Sequence, residues 1–339
     1  MNDTKLPFFL HANEGFASYS EADDLLHPEV NAREPGDSLT ETQYLGFNIP
    51  EHNIHGLGYL WHHPNLGVVT GGAWAFQGIK KHILTSEIFD FRAYMSDRVL
   101  KDNLHEYRFD NGYGVKVVEP LKQLHMTYAD PARKNEIDIA FSAITAPVMF
   151  GSGMHFEQGL RTSGQLTLRG KEYEVNGFSI RDRSWGQLRP ETAMNLPPMT
   201  WMTGVFNEDF MFNCSAFDHP DADPEWKGHF DFPASAALKG GWIYKDGVVT
   251  EIKSIMKRTV HDPETLFPDS IEMEVTDSAG ATYNIKGKIT AACAWAAWPA
   301  FAFPVCLTRW ECNGLVGYGD SQEAQWPDFV YKFYGKLGR

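Results

Sequence analysis

The sequence predicts an all-β protein, mainly antiparallel, folded as two barrel-like halves with one short helix at the C-terminal end. Runs of apolar, aromatic and β-branched residues of strand length alternate with turn signals: Asp110-Asn111-Gly112, Arg169-Gly170-Lys171, Lys245-Asp246-Gly247, Ser278-Ala279-Gly280 and Asn313-Gly314. Helical periodicity is confined to Glu323 through about Lys336, where Trp326, Phe329, Val330 and Phe333 recur at helical spacing. No glycine-rich phosphate loop joins a strand to a helix, so the βαβ alternation of a nucleotide fold is missing and no cofactor is expected.

At 339 residues the chain favours two domains over one core. Residues 1–40 are rich in Asp, Glu, Pro, Ser and Asn and predict a loop-rich arm with one short helix near Ser20 to Leu26. Strands follow at Gly56–His62, Gly67–Phe76, Ile88–Met95, Tyr113–Glu119, Gln123–Tyr128, Glu136–Ala143, Gly164–Leu168 and Glu172–Phe178. A second series comprises Met199–Phe206, Phe210–Phe217, Lys239–Tyr244, Val248–Lys257, Ser270–Thr276, Thr282–Ile289, Val305–Cys312 and Leu315–Gly319. The proline-bearing stretch Gly186–Pro198 separates the two, which divides the chain into β domains at 41–190 and 191–339, the second carrying the helix.

Aromatic residues make up 14% of the chain, enough to line a thick core or a cavity for an apolar ligand. The net charge of -14 repels nucleic acid and anionic membranes. Cys214, Cys293, Cys306 and Cys312 lie in apolar surroundings without metal-ligand spacing and read as reduced core thiols. With no secretory leader pattern at Met1–Leu10 and no apolar run of membrane-spanning length, a cytoplasmic protein is expected. Nothing in the sequence speaks to oligomeric state.

Polar residues interrupt the β pattern between His155 and Arg189. The stretch holds His155-Phe156-Glu157-Gln158, a hairpin, and then Arg181-Asp182-Arg183-Ser184-Trp185-Gly186. Burying the Asp182 carboxylate costs several kcal/mol unless it is paired or hydrogen-bonded. One reading makes it a structural ion pair with its neighbouring arginines at a corner, with Trp185 as a plug and Gly186 in a tight turn. The other places it at a cavity mouth as a proton donor or acceptor.

Asp182-Arg183-Ser184-Trp185-Gly186, its glutamine-bearing lead-in and Arg189 resemble the carotenoid 1,2-hydratase-like (hydroxyneurosporene synthase-like) family of tandem lipocalin-type proteins. Gly317-Tyr318-Gly319-Asp320-Ser321-Gln322-Glu323 is similar to that family's last strand. The resemblance implies two lipocalin-like antiparallel barrels and a cavity. Members hydrate isoprenoid double bonds, dehydrate the alcohols or cyclise polyketides, and others have no known activity. By the same resemblance Asp182 is a candidate acid, with Trp185 and Arg189 as its supporting residues.

Other clusters are less telling. His62 and His63 are adjacent and would face opposite sides of a strand, and His52 and His55 lie upstream in a loop, so no metal site is expected. Gly71-Gly72-Ala73-Trp74 suits a strand crossing or a pocket wall, and Thr290–Phe303 reads as a core strand pair. The leading expectation is a cofactor-independent lyase acting on a hydrophobic isoprenoid-, steroid- or polyketide-like small molecule. Asp182 is its acid, and His155 or Glu157, two apart and therefore on one strand face, is its base. Tyr59, Trp74, Trp185, Arg189 and Trp201 are the expected substrate-binding residues. A cyclase or isomerase, or a non-catalytic carrier, are the alternatives.

Overall fold

The computed structural model describes residues 16–31, 39–188, 196–222, 229–230, 232–298 and 301–334. In chain order it begins with β1 (Phe16–Ala17), α1 (Pro28–Asn31), β2 (Leu39–Ile49), β3 (Ile54–His63), β4 (Val68–Gln77) and β5 (Ile79–Lys80). Then come β6 (Ile88–Ser96), β7 (Glu106–Arg108), β8 (Gly114–Glu119), β9 (Gln123–Asp130), β10 (Asn135–Ala143), β11 (Val148–Phe150), β12 (His155–Leu168) and β13 (Lys171–Leu188). The remainder is β14 (Met199–Asn207), β15 (Phe210–Phe217), β16 (Leu238–Lys245), β17 (Val248–His261), β18 (Pro268–Asp277), β19 (Thr282–Trp298), β20 (Phe301–Cys312), β21 (Leu315–Ala324) and α2 (Pro327–Tyr334). The protein is thus nearly all β with a short C-terminal helix, as its turn chemistry predicts. No helix among the described residues is long and apolar enough to cross a membrane.

The chain forms two compact units: Glu14–Gln77 with Leu84–Arg189, and Gly78–Ile83 with Pro190–Arg339. In the N-terminal unit the strands run in the order β6-β4-β3-β2-β13-β12-β10-β9-β8-β7, with β1 and β11 attached alongside β12. The two end strands are not paired with each other, so this sheet is an open, partial barrel. Alternating burial along β9 and β10 puts Leu124, Met126, Tyr128, Ile137, Ile139 and Phe141 in its core with Phe47, Leu60, Tyr107 and Tyr113. In β2, at the middle of the sheet, every residue is buried on both faces.

The C-terminal unit closes. Its strands run β18-β17-β16-β15-β14-β21-β20-β19, and β18 pairs with β19 to complete an eight-stranded antiparallel barrel. Closure leaves no free edge in that ring. The short β5 adds to β19 in parallel at Ala292 and Cys293, beyond the β18 register. Met202, Phe212, Ile243, Ile285 and Trp310 fill the interior, and Trp326, just before α2, packs on Phe217 and Phe301. All four cysteines are buried thiols of this unit, none in a disulfide, and burial pushes the Cys214 thiol up to about 12.

Three expectations are corrected. The stretch Leu39–Ile49, spanning the end of the arm and the start of the first β domain and given no strand, is a full strand whose two buried faces erase the alternation that marks strands in sequence. No corner follows Phe178: β13 continues to Leu188, and Gly186, at φ +64°, sits where the β13–β2 register shifts by a bulge between Ser184 and Gln187. The helix does not begin at Glu323, which lies in β21, but at Pro327, a residue suited to the first helical turn.

Candidate active site on the N-terminal sheet

Register decides which side chains meet. Across β12, β13, β2 and β3, Glu157 is opposite Asp182, Asp182 opposite Tyr44, and Tyr44 opposite Tyr59. Directly opposed residues project to the same face, so these four side chains form one row, neighbouring Cβ atoms about 4.5–5.5 Å apart. The next row on that face is His155, Ser184, Thr42 and Trp61, where the Thr42 and Ser184 hydroxyls hydrogen-bond at 2.6 Å.

His155 Nε2 lies 2.9 Å from Glu157 Oε1. The Glu157 side chain is fully buried while that of His155 is 17% exposed, and Asp182 is half-buried. The Tyr44 and Tyr59 rings meet edge-on at 6.4 Å. The Tyr44 ring lies along its own strand over Gly46, where a Cβ would stand 2.6 Å from the hydroxyl. Trp74 faces the same way one row further, opposite Leu57, and its Nε1 donates to Ser86 Oγ at 2.9 Å. The structure therefore gathers Asp182, Glu157, His155, Tyr59 and Trp74 on one face of one sheet.

The opposite face holds the arginines. Arg181 and Arg183 do not turn toward their sequence neighbour. Arg181 donates to Asp24 Oδ1 at 2.7 Å and Gln158 Oε1 at 2.8 Å, and Arg183 to Glu41 Oε1 at 2.7 Å, the Thr42 carbonyl at 2.9 Å and the Leu25 carbonyl at 2.6 Å. All four charged side chains are fully buried. Burial pushes the Asp24 and Glu41 carboxyls up, yet Arg181 with the Leu121 N–H and Arg183 at Asp24, and Arg183 with His27 at Glu41, together hold both below their ordinary values. The expected pairing of Asp182 with its flanking arginines is thus replaced by two pairs that fasten Asp24 and Glu41 to β13.

Trp185 also belongs to the arginine face. It stacks on His27 at 3.9 Å, whose Nδ1 is 2.9 Å from Glu41 Oε1, and packs on Phe156 and Met149. Being three residues from Asp182 along a strand, it projects to the other side, so its expected place beside that carboxyl is corrected. Arg189 lies outside the described residues. Trp201 is in β14 of the C-terminal unit, half-buried, on the strand face opposite to Met202 of the barrel core.

Sequence reasoning missed Tyr44, Asp24, His27 and Glu41, because the first and last lie in the unrecognised strand and the others in the arm. It also missed a polar cluster inside the C-terminal barrel. There Lys257 Nζ donates to Asp218 and, at 2.9 Å, to Thr259 Oγ1. His261 Nε2 meets Glu323 Oε1 at 2.8 Å, and Gln325 Nε2 donates to the same oxygen at 2.7 Å. The i, i+2 spacing of Lys257, Thr259 and His261 was the available signal. Among the described residues, no group of three or more His, Cys, Asp or Glu is placed to hold a metal ion.

Among solved structures, the chain is similar to kievitone hydratase from Nectria haematococca, at 13% identity and a TM-score of 0.53, covering 94% of this chain and 98% of that one. It is also similar to a candidate AttH protein from Nitrosomonas europaea, at 10% identity and a TM-score of 0.55, covering 93% and 99%. At these identities the likeness is one of fold. No curated protein matches the sequence. A family model described as a domain of unknown function, DUF7064, matches residues 20–328, and the chain belongs to that family.

Proposed function

We propose that the chain is a cofactor-independent hydro-lyase that adds water to, or removes it from, a hydrophobic isoprenoid-, steroid- or polyketide-like molecule. The observation that carries this reading is the register that sets Glu157 opposite Asp182 with His155 Nε2 at 2.9 Å from Glu157. Two carboxyl groups and an imidazole on one sheet face are the residue types that acid–base chemistry at an alkene or alcohol needs. The fold likeness to a hydratase agrees with this reading.

In the hydration direction, the half-buried Asp182 carboxyl gives its proton to one carbon of the alkene. The C=C π pair forms the new C–H bond and leaves a carbocation on the other carbon. Water attacks that carbon and loses a proton to the His155–Glu157 pair, which returns it to solvent as Asp182 is reprotonated. The Tyr44 and Tyr59 rings on the same row present π faces that stabilise the cation. Dehydration runs the same steps backward.

The test is incubation with candidate terpenoid, steroid and polyketide alkenes or alcohols in oxygen-labelled water, read by mass spectrometry. Label uptake supports the hydro-lyase; isomer change without label identifies an isomerase, and an unchanged bound ligand a carrier. Asp182→Asn should lower turnover by about two orders of magnitude or more with little change in ligand affinity or melting temperature. Normal turnover in this variant would remove Asp182 as the acid, and a large loss of stability would make it a structural anchor.

A further inference from the structure

The arginine face of the same sheet carries a feature that the proposed reaction does not use. After its bonds to Asp24, Glu41, Gln158 and the Leu25 and Thr42 carbonyls, the arginine pair still has two donor nitrogens, Arg181 Nη2 and Arg183 Nε, with no acceptor among the described residues. Gln43 Nε2 is likewise without an acceptor. Gln43 is the direct cross-strand partner of Arg183, and Arg181 lies two residues along on the same face, so the three donors form one patch. Both arginines are 0% exposed and Gln43 is 1% exposed. A buried N–H left without an acceptor destabilises the fold, which marks the patch as built for an acceptor.

The chemistry of the patch narrows the occupant. Each guanidinium already faces its own carboxylate, Asp24 or Glu41, so a bound anion would find no cation to itself and would be costly to bury. Water fits poorly too, because all three left-over groups are donors and the two hydrogens of a water would need acceptors of their own. A carbonyl oxygen, which only accepts, is the neutral group that suits a set made up only of donors. The surroundings are aromatic: the Phe156 ring lies 5.1 Å from the Arg181 guanidinium carbon, and Tyr107 donates its hydroxyl to Gln43 Oε1 at 2.8 Å. Tyr107, Phe109 and Tyr113 come from the β7–β8 end of the sheet, which is not paired to β6, so a ligand could be admitted by movement of that edge without breaking a ladder.

We propose that the interior of the N-terminal unit binds a flat, apolar, uncharged ketone, its carbonyl oxygen held by Arg181 Nη2, Arg183 Nε and Gln43 Nε2. This site stands independently of the chemistry assigned to Asp182. Three probes of one shape separate the possibilities in a fluorescence titration of the full chain: acetylnaphthalene, isopropenylnaphthalene and naphthoate. The ketone should bind about tenfold or more tighter than the hydrocarbon and the anion. Gln43→Met and Arg183→Lys should each reduce that preference to about threefold or less, whereas Asp182→Asn should leave it unchanged even if it abolishes turnover. On the native protein, the infrared carbonyl stretch of bound acetylnaphthalene should move to lower frequency, a readout that needs no variant. Equal binding of ketone and hydrocarbon, tightest binding of naphthoate, no binding of the ketone up to its solubility, an unshifted carbonyl stretch, or a preference that survives both substitutions would each overturn the proposal.

Discussion

The two units solve the same problem, a β-sheet that must bury one face, in different ways. The C-terminal unit closes its ring through the β18–β19 ladder. The N-terminal unit leaves its end strands β6 and β7 unpaired with each other and instead fastens distant chain segments with buried charge: Arg181 to Asp24 across 157 residues of sequence, and Arg183 to Glu41 across 142. In the closed barrel the charged pairs Lys257–Asp218 and His261–Glu323 join β17 to the residue just after β15 and to β21, strands already held by the ladder. Buried charge is thus an organising contact in one unit and an addition to a ring already complete in the other.

That contrast can be broken most sharply at Glu41. Glu41→Leu leaves the Arg183 guanidinium buried without its carboxylate and should cost about 3–5 kcal/mol in urea unfolding. A cost below about 1 kcal/mol would show that the ion pair does not organise the open sheet.

In the closed barrel the expected loss is smaller and depends on pH. Burial alone would push His261 down and Glu323 up, but Glu323 with Asp218 holds His261 above its ordinary value of 6.5, and His261 with Lys257 and Gln325 holds Glu323 below its ordinary value of 4.5. The histidine contribution is complete below 6.5 and is lost as pH rises through the raised folded-state value. The carboxylate contribution is present above 4.5 and is lost as pH falls through the depressed value. Stability from this pair therefore peaks between those limits. Glu323→Gln should cost roughly 2 kcal/mol near pH 6 and flatten the profile; an unchanged pH profile would dissociate the pair from stability.

Gly46→Ala tests the row of Glu157, Asp182, Tyr44 and Tyr59 by displacing the Tyr44 ring, and should cost about 1 kcal/mol while altering the environment of Tyr59 in near-ultraviolet dichroism. Dichroism identical to the parent would mean that the ring does not depend on that vacancy. The smallest effect belongs to the exposed pair Lys286–Glu272, where Lys286→Ala should leave the melting temperature unchanged within error.

Local chemistry made most of this fold legible. Asp246-Gly247 and Asn313-Gly314 have left-handed first and second residues, as tight hairpins demand, and β15, from Phe210 to Phe217, has the bounds that the alternating pattern predicts. Leu39–Ile49 was hidden because burial on both faces removes the period of two. The face shared by His155 and Glu157 follows from parity within one strand. Their position opposite Asp182 depends on inter-strand register, which no local pattern specifies. For the same reason Tyr44 escaped notice, and the partners of Arg181 and Arg183 lay in an arm with no periodicity to announce them.

All four thiols belong to the closed barrel, in β15, β19 and β20, and the N-terminal unit has none. A thiol-reactive dye added to the native protein therefore reports the opening of one unit alone, and the rate of labelling measures how often that barrel breathes. Tryptophan and tyrosine emission, by contrast, averages over both units. Comparing the two signals in one denaturant series turns an uneven distribution of cysteine into a clock for each half of the molecule.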